Sequence, residues 1–221
     1  MNLEAALFST AWHLVMTLLS AVVFWDVFRN APWSRLQEGP SLNVMLGCAV
    51  ALALVWSMKA GVKPGLDLHL LGAMAATLVL GPRLAIVAMA LALCGVMVNG
   101  MIEWQAWPVN FIVTVVAPVL VATMLKRLVE RWLPAHFFIF IFVLGFACAA
   151  ITVMAQGALA STLLVLSGAY PADFLLSDYL PYFLLLGFSE AWISGAVVTL
   201  LVVYKPEWVA GFDDDRYLIN K

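Results

Sequence analysis

His69 is the side chain of this sequence best placed to do chemistry. It follows Asp67 by two residues and opens the apolar run LHLLGAMAATLVL, which Pro64-Gly65 precedes and a Gly81-Pro82-Arg83 turn ends. A neutral imidazole is a common ligand for zinc, copper or nickel. The other reading of such a residue is a histidine hydrogen-bonded to a neighbouring backbone carbonyl. His13 lies within the first apolar run, with Met16 three positions on, so that the two share a helical face. Imidazole beside thioether suits a soft metal such as copper, and two histidines of this kind could also ligate a haem. His136, next to Pro134, is expected at a membrane edge.

Glu190, in GFSEAWISG, falls near the middle of the last apolar run. A carboxyl group there either serves function directly, for example in proton relay, or braces the bundle. Its candidate partners are Ser189 and Ser194 on its own helix and Asn110 on another. Asn99, Glu103 and Asn110 gather around one loop and could line the same cavity as His69 and Asp67.

Missing patterns narrow the field. No phosphate-binding glycine loop followed by Lys-Ser/Thr occurs, and no H-E-x-x-H or Ser-His-Asp arrangement is evident, so neither ATP hydrolysis by that route nor hydrolytic chemistry is expected. The protein reads as a non-enzyme, and uphill movement of a substrate would need energy from another subunit. A net charge of -2 without a basic block argues against nucleic acid as a partner.

The elements that position these groups are membrane helices. Of 221 residues, 65% are hydrophobic and 11% charged, with a mean hydropathy of +1.02. A water-soluble domain cannot hide that much apolar surface, so lipid is the solvent. Seven apolar segments fall at about 6–25, 42–60, 66–80, 84–99, 107–125, 136–157 and 179–204, against the roughly 20 residues a span needs. The third and fourth are short and are expected to tilt or to be wrapped by longer helices. The stretch 158–168 either extends the sixth helix past a break near Gln156-Gly157 or lies along the outer surface. Placing the N-terminus outside puts nine of the eleven Lys and Arg residues in inner loops and leaves only Lys59 and Lys63 outside, which agrees with the positive-inside rule.

The expectation is an all-α integral membrane protein of about seven spans, N-terminus outside and C-terminus cytoplasmic. Residues 1–205 form the bundle and 206–221 a short cytoplasmic tail. Glu4, with no Lys or Arg before the first run, is the wrong charge for a cleavable signal peptide, so the first segment is expected to be a true span. Small residues four apart, at Gly47/Ala51, Ala49/Ala53, Gly72/Ala76, Ala88/Ala92 and Gly145/Ala149, mark candidate helix contacts. Cys48, Cys94 and Cys148 show no metal-ligand spacing or disulfide frame and are expected to pack as small hydrophobes.

The stretch from Pro64 to Ala73, closing at Leu80-Gly81-Pro82, resembles the PG-x-x-x-H-L-x-G-[GA] and LGP segments of the CbiM/NikM family. Those proteins are the membrane components that capture cobalt or nickel in energy-coupling-factor transporters. The Glu190 and Asn110 regions are similar through weaker patterns. The resemblance implies seven helices with an external N-terminus, and a metal held by the amino-terminal nitrogen, a histidine after the first methionine, and the histidine that His69 matches. The chain departs from this pattern by opening Met1-Asn2-Leu3-Glu4. Met1 can offer its amine and His69 its imidazole, but Asn2 cannot replace an imidazole, and His13 is the candidate substitute.

The resemblance implies a substrate-capturing subunit in the inner, cytoplasmic membrane. It would carry a divalent transition metal, nickel or cobalt first, as substrate, with no organic cofactor. A coupling transmembrane subunit and separate ATPase subunits are the implied partners, besides membrane lipid. The alternatives are a non-transporting scaffold subunit and a haem or copper protein using His13 and His69.

Overall fold

A computed structural model describes residues 2–63 and 66–219. Among the described residues seven helices form the bundle. They are α1 (Thr10–Asn30), α2 (Ser41–Ser57), α3 (Ala73–Leu80), α4 (Pro82–Val98), α5 (Trp104–Trp132), α6 (Ile139–Leu166) and α7 (Ala172–Tyr204). Between α2 and α3 a two-stranded antiparallel hairpin pairs β1 (Ala60–Lys63) with β2 (Leu66–Leu68), with Ala60 opposite Leu68. The hairpin has no counterpart in the sequence reading. Pro64-Gly65, expected to introduce the third helix, lies outside the described residues.

Helices α1, α5, α6 and α7 are long and apolar enough to cross a membrane, at 21, 29, 28 and 33 residues, while α2 and α4 are shorter apolar helices of 17 residues each. Lipid solvation is written on their surfaces. Leu14, Leu18, Val22, Trp25 and Phe28 stand exposed along one side of α1, and Leu184, Leu185, Phe188 and Trp192 do so on α7. Apolar patches of that extent are not found on proteins that face water.

The third apolar segment departs most from expectation. Only Ala73–Leu80 is helical, eight residues that reach about 12 Å at ~1.5 Å each, so the helical part of the segment 66–80 is much shorter than the apolar run itself. Helices α4, α5, α6 and α7 all pack around it, and seven of its eight residues are buried. A buried helix end must find partners for its last four carbonyls. Here Gly81 N–H bonds Thr77 O at 3.0 Å, Gly211 N–H bonds Leu78 O at 2.8 Å, Ala210 N–H bonds Val79 O at 2.9 Å, and Arg35 Nη1 bonds Leu80 O at 3.3 Å. The tail after Tyr204 thus serves the core. Its Val209, Phe212 and Tyr217 are buried, and Phe212 and Tyr217 each meet the Phe140 ring at 5.0 Å between centroids.

Helix α6 runs unbroken through Gln156-Gly157 to Leu166, which settles the fate of 158–168 as helix extension. Gly157 is there for close approach: a Cβ on it would sit 2.4 Å from the Phe183 ring of α7. Gly47 is different, with open space where its Cβ would be. It lines an apolar groove of about 530 Å³ between α2, α3 and α7 rather than a helix contact.

Three π-helical stretches interrupt the long helices, at Phe111–Val116, Ile139–Ala147 and Leu175–Tyr179. Pro118 and Pro181 each lie two residues past such a stretch, and a proline has no N–H to give the carbonyl four residues before it. The stretch at 139–147 has no such proline. Cys48, Cys94 and Cys148 are free thiols, as expected of packed small hydrophobes.

Candidate metal centre

His69 stands between β2 and α3 and is only 4% exposed. Its Nδ1 lies 2.8 Å from the Leu70 carbonyl oxygen. A carbonyl only accepts, so Nδ1 carries the proton and the ring's lone pair is on Nε2. The bland half of the sequence reading, a backbone-bonded histidine, is therefore present. A bond of this kind fixes both the tautomer and the orientation of the ring. The Trp56 indole lies against the ring at 5.3 Å between centroids, and its Nε1–H bonds Leu71 O at 3.2 Å. Trp56 was not among the sequence candidates. Nothing in its local pattern sets it apart from other apolar residues of α2.

Glu190 fixes the chain that follows His69. Its Oε2 accepts the Leu71 N–H at 2.7 Å, its Oε1 accepts the Gly72 N–H at 2.7 Å, and the Ser194 hydroxyl donates to Oε1 at 2.9 Å. The carboxyl group is 2% exposed. Of the partners suggested for it, Ser194 is the one found, while Ser189 bonds Leu185 O of its own helix. Gly72 has φ +71°, and a Cβ there would lie 2.4 Å from Leu52 Cδ2, so a glycine is needed at this bend.

Asn110 does a matching job on the N-terminal segment. Its Oδ1 accepts the Leu3 N–H at 2.8 Å, and its Nδ2 donates to Leu3 O at 2.9 Å and to Ala106 O at 3.0 Å. The side chain is fully buried. Ala5 N–H reaches Glu103 Oε2 at 3.2 Å, and His13 Nε2 donates to Ala5 O at 3.1 Å. His13 Nδ1 then carries that ring's lone pair, and it is buried without a hydrogen-bond partner among the described residues. Asn2 is 4% exposed, and among the described residues neither atom of its amide has a hydrogen-bond partner.

The remaining candidates fall elsewhere. Asp67 pairs with Lys59 across the hairpin. Asn99 and Glu103 are exposed, and Glu103 Oε2 accepts the Ala5 N–H. His136 is exposed and accepts the Phe138 N–H at 3.2 Å. Met1 lies outside the described residues. Among the described residues no three His, Cys, Asp or Glu side chains converge as a metal-binding group. A centre would therefore draw on donors of other kinds, such as backbone and terminal nitrogens.

The profile of a family described as the cobalt uptake substrate-specific transmembrane region, CbiM, matches residues 2–208. A solved truncated transition metal transporter superposes with a TM-score of 0.81 at 16% identity, over 92% of this chain and 99% of that one. A second solved transition metal transporter gives 0.79 at 16% identity, over 91% of this chain and 92% of the other. At that identity the two structures establish a common fold. No curated protein matches the chain.

Proposed function

The chain belongs to the CbiM family, a multi-pass membrane transport component and not an enzyme, and on that premise we propose that it captures a divalent transition metal, cobalt or nickel, for an energy-coupling-factor transporter. Seven membrane segments, an external N-terminus and a cytoplasmic C-terminus in the inner membrane fit the nine-to-two distribution of basic residues. The bundle would dock a coupling transmembrane subunit driven by separate ATPases.

The observation that carries the reading is a double clamp. Two fully or almost fully buried polar side chains from distant helices, Glu190 and Asn110, each hold a segment that carries a candidate donor. Buried polar groups in a membrane are costly and are kept where function needs them. We assign His69 Nε2 and the Met1 amine as donors, with His13 Nδ1 the third candidate. Nitrogen donors of this kind suit nickel and cobalt better than hard cations. Glu190 and Asn110 act as positioning residues.

Isothermal titration of nickel and cobalt into the purified protein, beside its His69→Ala variant, tests the proposal. Binding is expected in the parent and its loss in the variant. Equal binding by both would remove His69 from the site, and absence of metal binding with intact partner association would leave a scaffold. A Soret band in the purified protein would point to haem instead.

A further inference from the structure

We propose that the basic cleft at the far end of α3 from His69 holds the headgroup phosphate of an anionic phospholipid. The cleft has a volume of about 450 Å³ and forms where α3 ends and α4 begins. Among the described residues its charged lining is Arg35, Arg83, Lys126 and Arg127, with Glu130 the one carboxylate. Arg83 Nε pairs with Asp26 at 3.1 Å. Glu130 takes both Lys126, at 3.0 Å, and Arg216, at 3.2 Å, and the Tyr217 hydroxyl donates to it at 3.4 Å. Among the described residues no carboxylate lies within ion-pair distance of Arg35 or Arg127. Five cations thus stand against two carboxylates. Asp213, Asp214 and Asp215 follow on the tail but do not line the cleft, and Asp213 Oδ1 accepts the Arg216 backbone N–H at 3.1 Å.

A phosphate answers that surplus, since arginine and lysine form charge-assisted bonds to its oxygens. The surroundings favour a lipid as its source. Leu120, Met124 and Leu128 stand exposed on α5 at four-residue spacing, one stripe leading up to the level of Arg127. Acyl chains can lie along that stripe while the headgroup enters the cleft. Basic pockets between membrane helices on the cytoplasmic side are a recognised setting for acidic headgroups.

The test is retention of defined lipids by the full chain, read by native mass spectrometry after exchange into mixed phosphatidylglycerol and phosphatidylcholine. Phosphatidylglycerol should be retained in preference, and Arg127→Gln and Arg83→Gln should each cut that retention about fivefold, the size expected of one basic side chain near an anionic surface. Both side chains are exposed, so the fold is not at risk, and Arg127→Lys should restore retention. Equal retention of the two lipids, or unchanged retention in both variants, would overturn the proposal. Inorganic phosphate binding as tightly as phosphatidylglycerol would assign the cleft to a free anion. Lost association with a coupling subunit, at unchanged lipid retention, would assign it to an acidic protein surface. Either result also overturns the lipid reading.

Discussion

Glu190 and Leu71 are separated by 119 positions in the chain and joined by a 2.7 Å bond from the Leu71 N–H to Oε2. The other carboxylate oxygen takes the Gly72 N–H, so α7 holds the second and third residues after His69. An N–H left without a partner inside a membrane costs several kcal/mol. The bend that carries His69 is therefore fixed from a helix that does not touch it in sequence.

Glu190→Gln separates this positioning role from mere bulk. Glutamine keeps the shape but turns one acceptor oxygen into a donor, leaving at least one of the two N–H groups unpaired. Metal affinity is expected to fall on the order of 10–100-fold, the range for loss of an outer-shell support, while helical content stays at the parent level. Titration calorimetry with circular dichroism on the same sample reads both. Unchanged affinity would remove Glu190 from the support of the site.

Asn110 offers a parallel prediction at the other clamp. Asn110→Leu removes one acceptor and two donors that hold Leu3 and Ala106. Hydrogen exchange in the segment Leu3–Phe8 should accelerate, with metal affinity falling alongside. Asn110→Asp keeps the acceptor for Leu3 N–H but sets a carboxylate oxygen against the Leu3 and Ala106 carbonyls, acceptors facing an acceptor, so it should accelerate exchange at least as much as the leucine variant. Parent-like exchange in the leucine variant would show that the N-terminal segment is held by packing of Leu3 and Phe8 alone.

Gly72→Ala tests the bend through stability. A left-handed residue other than glycine costs roughly 1–2 kcal/mol, and the added methyl would stand 2.4 Å from Leu52 Cδ2. A lower thermal midpoint is expected, and Leu52→Ala on that background should recover part of the loss by removing the clashing atoms. No recovery would mean that the backbone conformation carries the whole penalty.

Composition and the positions of apolar runs made the helical membrane character legible, and His69 stood out because an imidazole at the edge of an apolar run is rare. What escaped depends on contacts far apart in the chain. The run 66–80 reads as one helix, but its first part is drawn into the hairpin and the Glu190 bonds, leaving eight helical residues. Gln156-Gly157 reads as a break, because the sequence does not show that Phe183 needs the space. The polar tail reads as an appendage, yet Ala210 and Gly211 supply the N–H groups that end α3. Asn2 reads only as a missing histidine, and its burial is visible only in the fold.

That burial yields the sharpest test of the capture site. An amide without partners costs roughly 1–3 kcal/mol to bury, and among the described residues Asn2 has none. If the amide faces the metal, as the proposed donor set next to it implies, Asn2→Leu should raise the thermal midpoint of the metal-free protein and lower metal affinity together. Opposite signs on stability and binding are not produced by a residue that merely packs. Asn2→His would add an imidazole at the same place, and nickel affinity should rise relative to the parent, since imidazole is the better ligand for nickel. Affinity unchanged in both variants would show that the second residue points away from the substrate, and the site would then have to be rebuilt around His69 and His13.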